Sequence, residues 1–326
     1  MRPCSPHVVG LDFSDASARA LRAAAGLALT AAAPLHVVHA DETHATAHAQ
    51  ESGALLTDLR AFVRRTFDDA LPGVRITYAI TRDLSPGLAL STYAADVEAR
   101  LLVVGTHGRR GVKRLLLGSV AEEVVRTAPC PVMTIPDPVA GMASPGNRPV
   151  LAPVDFSMAS EEGLGLAQAW ATRLHAPLVL LHVIDAGPYP AFYLPDLAEG
   201  TTLTHLLDER ARKRLPRFYA QAIHGVDAGP ERAEADGVAI ATAVGRADVE
   251  IAAVAKEIGA RLIVMATRGL TGLEHVLLGS TAERTLRRAP CPVLTHRPSP
   301  TTDSPGDAAA VRADAQALLE ADLHLP

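Results

Sequence analysis

Five short apolar runs punctuate the first 140 residues: HVVGL (7–11), LHVVH (35–39), VRITYAI (74–80), LLVV (101–104) and VMTI (132–135). Between them, apolar positions recur every three or four residues, as at Ala20, Leu21, Ala24 and Leu27, which is the spacing of one buried helix face. Strands that alternate with helices need crossover connections and therefore build a parallel sheet. Near-continuous runs such as LLVVG and RLIVMA suit strands covered on both faces. The first helix opens at Phe13-Ser14-Asp15, where either Ser14 or Asp15 is expected to be the N-cap.

The same pattern then repeats. Residues 99–135 align without a gap on residues 260–296, at an offset of 161 and with about half the positions identical. VVGLDFSDASARAL around Asp12 matches LAPVDFSMASEEGL around Asp155 at an offset of 143, so the second copy carries 18 additional residues. They are expected at 185–202, where Gly187, Pro188, Pro190 and Pro195 favour a loop. PDPVAGMASPGNRP (136–149) reads as a linker. The expected organisation is a first domain at 1–140, a second at 150–297, and a tail at 298–326 that forms at most one helix, from Asp307. The expected fold is α/β: two tandem flavodoxin-like or Rossmann-like domains, each a five-stranded open parallel sheet with helices on both faces.

Composition narrows the partners. The 326 residues are 48% hydrophobic and 21% charged, with a net charge of −5. That balance gives each half a core and lacks the basic footprint of a nucleic-acid binder. Residues 1–10 lack a signal-peptide pattern and no apolar run approaches bilayer length, so no membrane contact is expected and the cytoplasm is the expected location. Cys130 and Cys291 share a Pro-Cys-Pro-Val context that suits small core residues better than redox chemistry. His44 and His48, four apart, are read as a solvated face rather than metal ligands, and the matched His39 and His182 as structural. P-loop, nucleophile-elbow and HExxH motifs are absent from the sequence.

Open doubly wound sheets bind ligands beyond the carboxyl ends of their strands. Asp12 stands at the end of the first strand. Gly105-Thr106-His107-Gly108 ends the fourth, and nine residues later Gly118-Ser119 opens a helix. Glycines admit a close phosphate, and a helix N-terminus favours its charge. The bland alternatives are that Gly105 and Gly118 serve turns only, and that Asp12 and Asp155 act only as helix caps.

The spacing GxxG, nine residues, G[ST], between a strand and a helix that leads to a PCPV strand, resembles the nucleotide-binding branch of the universal stress protein family, over residues 7–296. The resemblance implies adenosine contacts from Asp12 and Ala40, and phosphate contacts from Gly105, Gly108, Arg109, Gly118, Ser119 and Val120. In the second copy it implies Asp155, Val183, Gly269, Gly279, Ser280 and Thr281, with Ala266 replacing the first glycine. The implied cofactor is ATP, or AMP or ADP, with Mg²⁺ carried by the nucleotide rather than by a protein metal site. Arg109, Arg110, Lys113 and Arg114 favour the first copy, since the second has Leu270, Thr271, Leu273 and Glu274. The two copies are expected to pair through CPVMTI and CPVLTH as an intrachain pseudo-dimer, with further homodimerisation and unidentified signalling partners. The expected role is an ATP or AMP sensor without rapid catalysis. Its rivals are a nucleotide-free scaffold and a slow ATPase or self-phosphorylating protein.

Overall fold

The computed structural model of the protein describes residues 5–41, 49–69, 73–106, 117–136, 147–184, 203–225, 228–267 and 278–298. The chain forms two compact units: Met1–Met142 with Pro292–Arg297, and Ala143–Cys291 with Pro298–Pro326. The expected tail helix and the whole of the extra loop at 185–202 therefore lie outside the described residues, as do His44 and His48.

In the first unit the elements run β1 (His7–Gly10), α1 (Asp15–Thr30), β2 (Leu35–Ala40), α2 (Ala49–Thr66), β3 (Ile76–Thr81), α3 (Pro86–Asp96), β4 (Leu101–Gly105), α4 (Ser119–Thr127) and β5 (Val132–Ile135). Their sheet order is β3-β2-β1-β4-β5, every pair parallel. This is the Rossmann order rather than the flavodoxin one, and it reverses direction between β1 and β4. β3 begins at Ile76, two residues later than expected, because the ladder with β2 is set by Leu35↔Ile76 through Ala40↔Thr81.

The second unit repeats the scheme with β6 (Val150–Pro153), α5 (Met158–Arg173), β7 (Leu178–Ile184), α6 (Leu203–His224), α7 (Glu231–Ala235), β8 (Ala239–Val244), α8 (Ala247–Glu257), β9 (Leu262–Ala266) and α9 (Ser280–Arg288). Its parallel order is β9-β6-β7-β8. The last strand, β10 (Val293–His296), belongs to the first unit, where it lies antiparallel to β5 with Leu294 opposite Met133. Thr134 Oγ1 donates to the Val293 carbonyl and Thr295 Oγ1 to the Val132 carbonyl, both at 3.3 Å.

The core follows from the apolar runs. Val8, Val9, Leu35, Val37 and Leu101–Val104 are buried between helical layers. On α1 the predicted stripe, Ala20, Leu21, Ala24 and Leu27, is buried too. Its alanines combine high helix propensity with little bulk, so the helix approaches the sheet closely. No helix among the described residues is long and apolar enough to cross a membrane.

One core-edge group makes stability depend on pH. His36 in β2 lies 3.0 Å from the Tyr93 hydroxyl, and its pKa is lowered from the ordinary 6.5, first by burial and then by Arg75. The unfolded chain therefore takes up the proton first. The stabilisation is complete above pH 6.5 and is lost as pH falls through 6.5 toward the lowered folded value. Denaturant midpoints compared at pH 7, 6 and 5 should fall less for His36→Gln than for the wild type; parallel declines would refute this assignment.

Candidate cleft at the carboxyl ends of the strands

Beyond β1 the chain makes the turn Leu11-Asp12-Phe13-Ser14, and beyond β6 the turn Val154-Asp155-Phe156-Ser157. Phe13 and Phe156 both adopt left-handed backbone, φ 66° and 63°, a conformation that costs a bulky residue free energy unless its surroundings enforce it. The enforcement is the same in both units. Phe13 packs at a tilt against His39 at 4.7 Å and meets Phe62 edge-on at 5.5 Å; Phe156 packs at a tilt against His182 at 4.6 Å and meets Phe218 edge-on at 5.4 Å. Each histidine donates from Nδ1 to the carbonyl just before the aspartate, His39 to Leu11 at 2.7 Å and His182 to Val154 at 2.9 Å. The two histidines thus lock the turns.

The locked turns fix the carboxylates. Asp12 Oδ1 accepts from Ser14 N at 3.0 Å and Ser14 Oγ at 2.6 Å. Asp155 Oδ1 accepts from Ser157 N at 3.1 Å, Ser157 Oγ at 2.5 Å and Ser160 Oγ at 2.6 Å. The helix caps themselves are Ser14 and Ser157, which accept from the N–H groups of Ser17 and Ser160. Asp15 is the first helical residue, and the aspartates brace the caps rather than replace them.

Gly105 ends β4 without positive φ, so its need is for space. A Cβ there would lie 3.2 Å from the backbone and Cβ of Ala16 on α1. At the matching position Ala266 ends β9, also without positive φ. It faces Gly163 of α5, where an added Cβ would lie 3.4 Å from Ala266 N and 3.8 Å from its Cβ. Gly163 occupies the place of Ala20 in the first copy. The strand end in the second copy thus carries a methyl group beside a helix position that has none.

Opposite the aspartates, α4 and α9 start on glycines in extended conformation, Gly118 (φ −63°, ψ 143°) and Gly279 (φ −71°, ψ 146°), and neither start has a side-chain cap. By contrast α1, α3 and α5 are capped by Ser14, Ser85 and Ser157. The glycines are pinned by their own N–H groups, Gly118 to the Thr106 carbonyl at 2.8 Å and Gly279 to the Thr267 carbonyl at 2.7 Å. The N–H groups of a helix's first turn have no partner within the helix, so an uncapped start presents donors and a positive dipole end to an anion.

In the second unit these parts enclose a cavity of about 250 Å³. Its lining includes Asp155, Val183, Ala266, Gly279, Ser280 and Thr281, six of the seven residues singled out there from the sequence; the seventh, Gly269, lies outside the described residues. Ser160, Ala247, Ile251 and Thr267 also line it and carried no sequence signal. Beside it, the buried Asp248 carboxylate is gripped by Arg246 at 3.0 Å and Arg288 at 3.1 Å, tying α8 to α9. In the first unit Asp12 follows β1, Ala40 ends β2, Gly105 ends β4, and Gly118, Ser119 and Val120 open α4. Gly108, Arg109, Arg110, Lys113 and Arg114 lie outside the described residues, as do Leu270, Thr271, Leu273 and Glu274.

Other chemistry is poorly supported. Burial pushes the thiols of Cys130 and Cys291 up to about 12, which keeps them protonated and unreactive at neutral pH. Among the described residues no group of three or more His, Cys, Asp or Glu side chains could hold a metal.

Fold and cleft together define a tandem doubly wound α/β protein, each repeat built around a strand-order reversal between a braced aspartate and an uncapped helix. The chain belongs to the universal stress protein family, whose sequence profile matches residues 6–136 and again 146–297. It is 30% identical to Universal stress protein Rv2623 of Mycobacterium tuberculosis over 304 residues, which is 90% of this chain and 96% of that one. Universal stress protein MJ0531 of Methanocaldococcus jannaschii is 34% identical over 149 residues, 45% of this chain and 80% of that one. A universal stress protein from Archaeoglobus fulgidus shares the fold, with a TM-score of 0.59 at 19% identity, covering 92% of this chain and 98% of that one.

Proposed function

We propose that the protein is a stress-response nucleotide binder, a sensor of ATP or AMP that signals through protein contacts in the cytoplasm, as a homodimer, without rapid catalysis. The observation that carries this reading is the second unit's cavity, which joins the Asp155 carboxylate to the uncapped start of α9. A carboxylate accepts from ribose hydroxyls. Val183 and Ile251 offer apolar surface to a base, and the N–H groups at Ser280 and Thr281 suit phosphate oxygens. Mg²⁺ would arrive with the phosphates and neutralise part of their charge. The same parts, Asp12, Ala40, Gly105, Gly118, Ser119 and Val120, stand in the same order in the first unit, where Gly108 and Arg109 complete the motif in sequence.

Rapid turnover needs a group poised to take a proton beside the phosphate. The described residues at that end of the cavity, Gly279, Ser280 and Thr281, supply N–H donors and hydroxyls instead. Asp155, at the other end, already spends Oδ1 on three donors.

A calorimetric titration of the full chain with MgATP and MgAMP tests the proposal. The expected result is saturable heat with two sites per chain and a dissociation constant near 1 μM, which corresponds to about −8 kcal/mol. No heat from either nucleotide would instead leave a scaffold that works without one.

A further inference from the structure

We infer that the open edge of β8 is where two copies of the chain meet, antiparallel about a two-fold axis at Thr242, an inference that rests on the homodimer reading above. β8 ends the strand order of the second unit, with β7 on one side only. Gly245 N–H donates to the Ile184 carbonyl at 3.0 Å, and backbone groups alternate sides along a strand. Ile240, Thr242 and Val244 therefore turn their N–H and C=O groups away from β7, toward a strand that another chain can add.

The first unit supplies the contrast. Its own edge strand, β3, ends in charge: Arg82 follows the strand and pairs with Asp41 at 2.7 Å. The registers Ala40↔Thr81 and Val183↔Ala243 put Val244 where Arg82 stands and Ile184 where Asp41 stands. An ion pair is thus replaced by two apolar residues, and Val244 is 42% exposed. The strand AIATAV holds neither a charge nor a proline, the usual protection of an edge.

The two ends of β8 complement each other. At its start, a groove of about 570 Å³ is lined by Pro216, Ala233, Val238 and Ile240, with Glu231 and Glu234 on its wall. Neither carboxylate has a hydrogen bond or ion pair among the described residues. Just past the strand's end, the Arg246 side chain is 60% exposed: Nε and Nη2 hold Asp248, while Nη1 makes no bond among the described residues. Antiparallel pairing centred on Thr242 sets Ile240 of each copy opposite Val244 of the other. Each groove then receives the apolar end of the partner strand, and the partner's Arg246 runs on toward Glu231 and Glu234. The contact is isologous, so one patch serves both copies and the assembly closes at two.

Sedimentation equilibrium of the full chain tests this. Val244→Arg restores the charge of the first unit's edge at an exposed position. Thr242→Pro removes an outward N–H that the ladder with β7 does not use. Urea melts followed by Trp170 fluorescence check that each variant folds as the parent does. The parent should sediment as two chains, and either change should weaken the dimer at least ~100-fold. Glu231→Lys combined with Glu234→Lys should weaken it about tenfold, and less in high salt. A folded Val244→Arg variant that dimerises with the parent's affinity would overturn the inference and move the homodimer contact to another surface. A parent that sediments as one chain would reject the homodimer reading as well, and would leave the edge to a strand of a different protein.

Discussion

Tyr219→Ala should destabilise the second unit by about 3–5 kcal/mol, the cost of emptying a large aromatic site in a packed core. Tyr219 is fully buried on α6. Its hydroxyl donates to Asp236 Oδ2 at 2.8 Å and lies 3.2 Å from the Gln168 side chain, while His224 Nε2 reaches the same Asp236 oxygen at 2.6 Å. Burial, then the bond and charge of Asp236, push the tyrosine pKa up, so it remains a protonated donor. Burial opposes ionisation of Asp236, but the bonds from His224 and Tyr219 outweigh it and hold its pKa below the usual range. Tyr219→Phe keeps the packing and loses only the hydroxyl, at a cost of about 1–2 kcal/mol. Trp170, the chain's single tryptophan, is buried on α5 of the same unit, so urea melts followed by its fluorescence report this unit specifically. Equal midpoints for the Ala and Phe variants would show that the ring fills no essential volume.

The second large effect concerns ligand occupancy. Gly118→Trp and Gly279→Trp should each remove one of two nucleotide sites, and the double variant should remove both. The glycines have φ of −63° and −71°, values open to any residue, so the backbone tolerates the change. The indole would instead cover the first-turn N–H groups on which phosphate is expected to sit. Losing those charge-assisted bonds should weaken the altered site by at least ~100-fold. Stoichiometry by calorimetry should fall from two to one to none; a double variant that still binds two nucleotides would place the ligand elsewhere.

Much of the architecture is written in the local pattern. The runs LLVV and LIVMA are apolar at every position because both sheet faces are covered, and the internal repeat needs no structure to be seen. The site is legible only where chemistry follows from residue type. Asp155, Gly279 and Ser280 can be picked out by spacing, and the fold gathers them around one cavity. Ala266 is misleading in isolation, because the space at a strand end is set by the helix packed on it, here at Gly163, 103 positions earlier in the chain. Phe13 and Phe156 give no hint of left-handed backbone, since that conformation is imposed by rings on other elements. The capping side chain cannot be chosen between Ser14 and Asp15 from sequence because both residue types cap well; in the structure Ser14 caps, braced by Asp12. Thr267 is illegible for a related reason: whether a residue lines a cavity depends on how distant elements meet, not on its own identity.

The position of β10 orders events at the ribosome. The strand that completes the first unit is encoded at residues 293–296, after all of the second unit's strands. During synthesis the β5 edge therefore waits, unpaired, while some 160 further residues emerge, although domains ordinarily fold in the order they are made. The unit that begins first gains its last strand only after every strand of the second has been made, and a chain cut short before Pro292 leaves that edge open to a strand from another molecule.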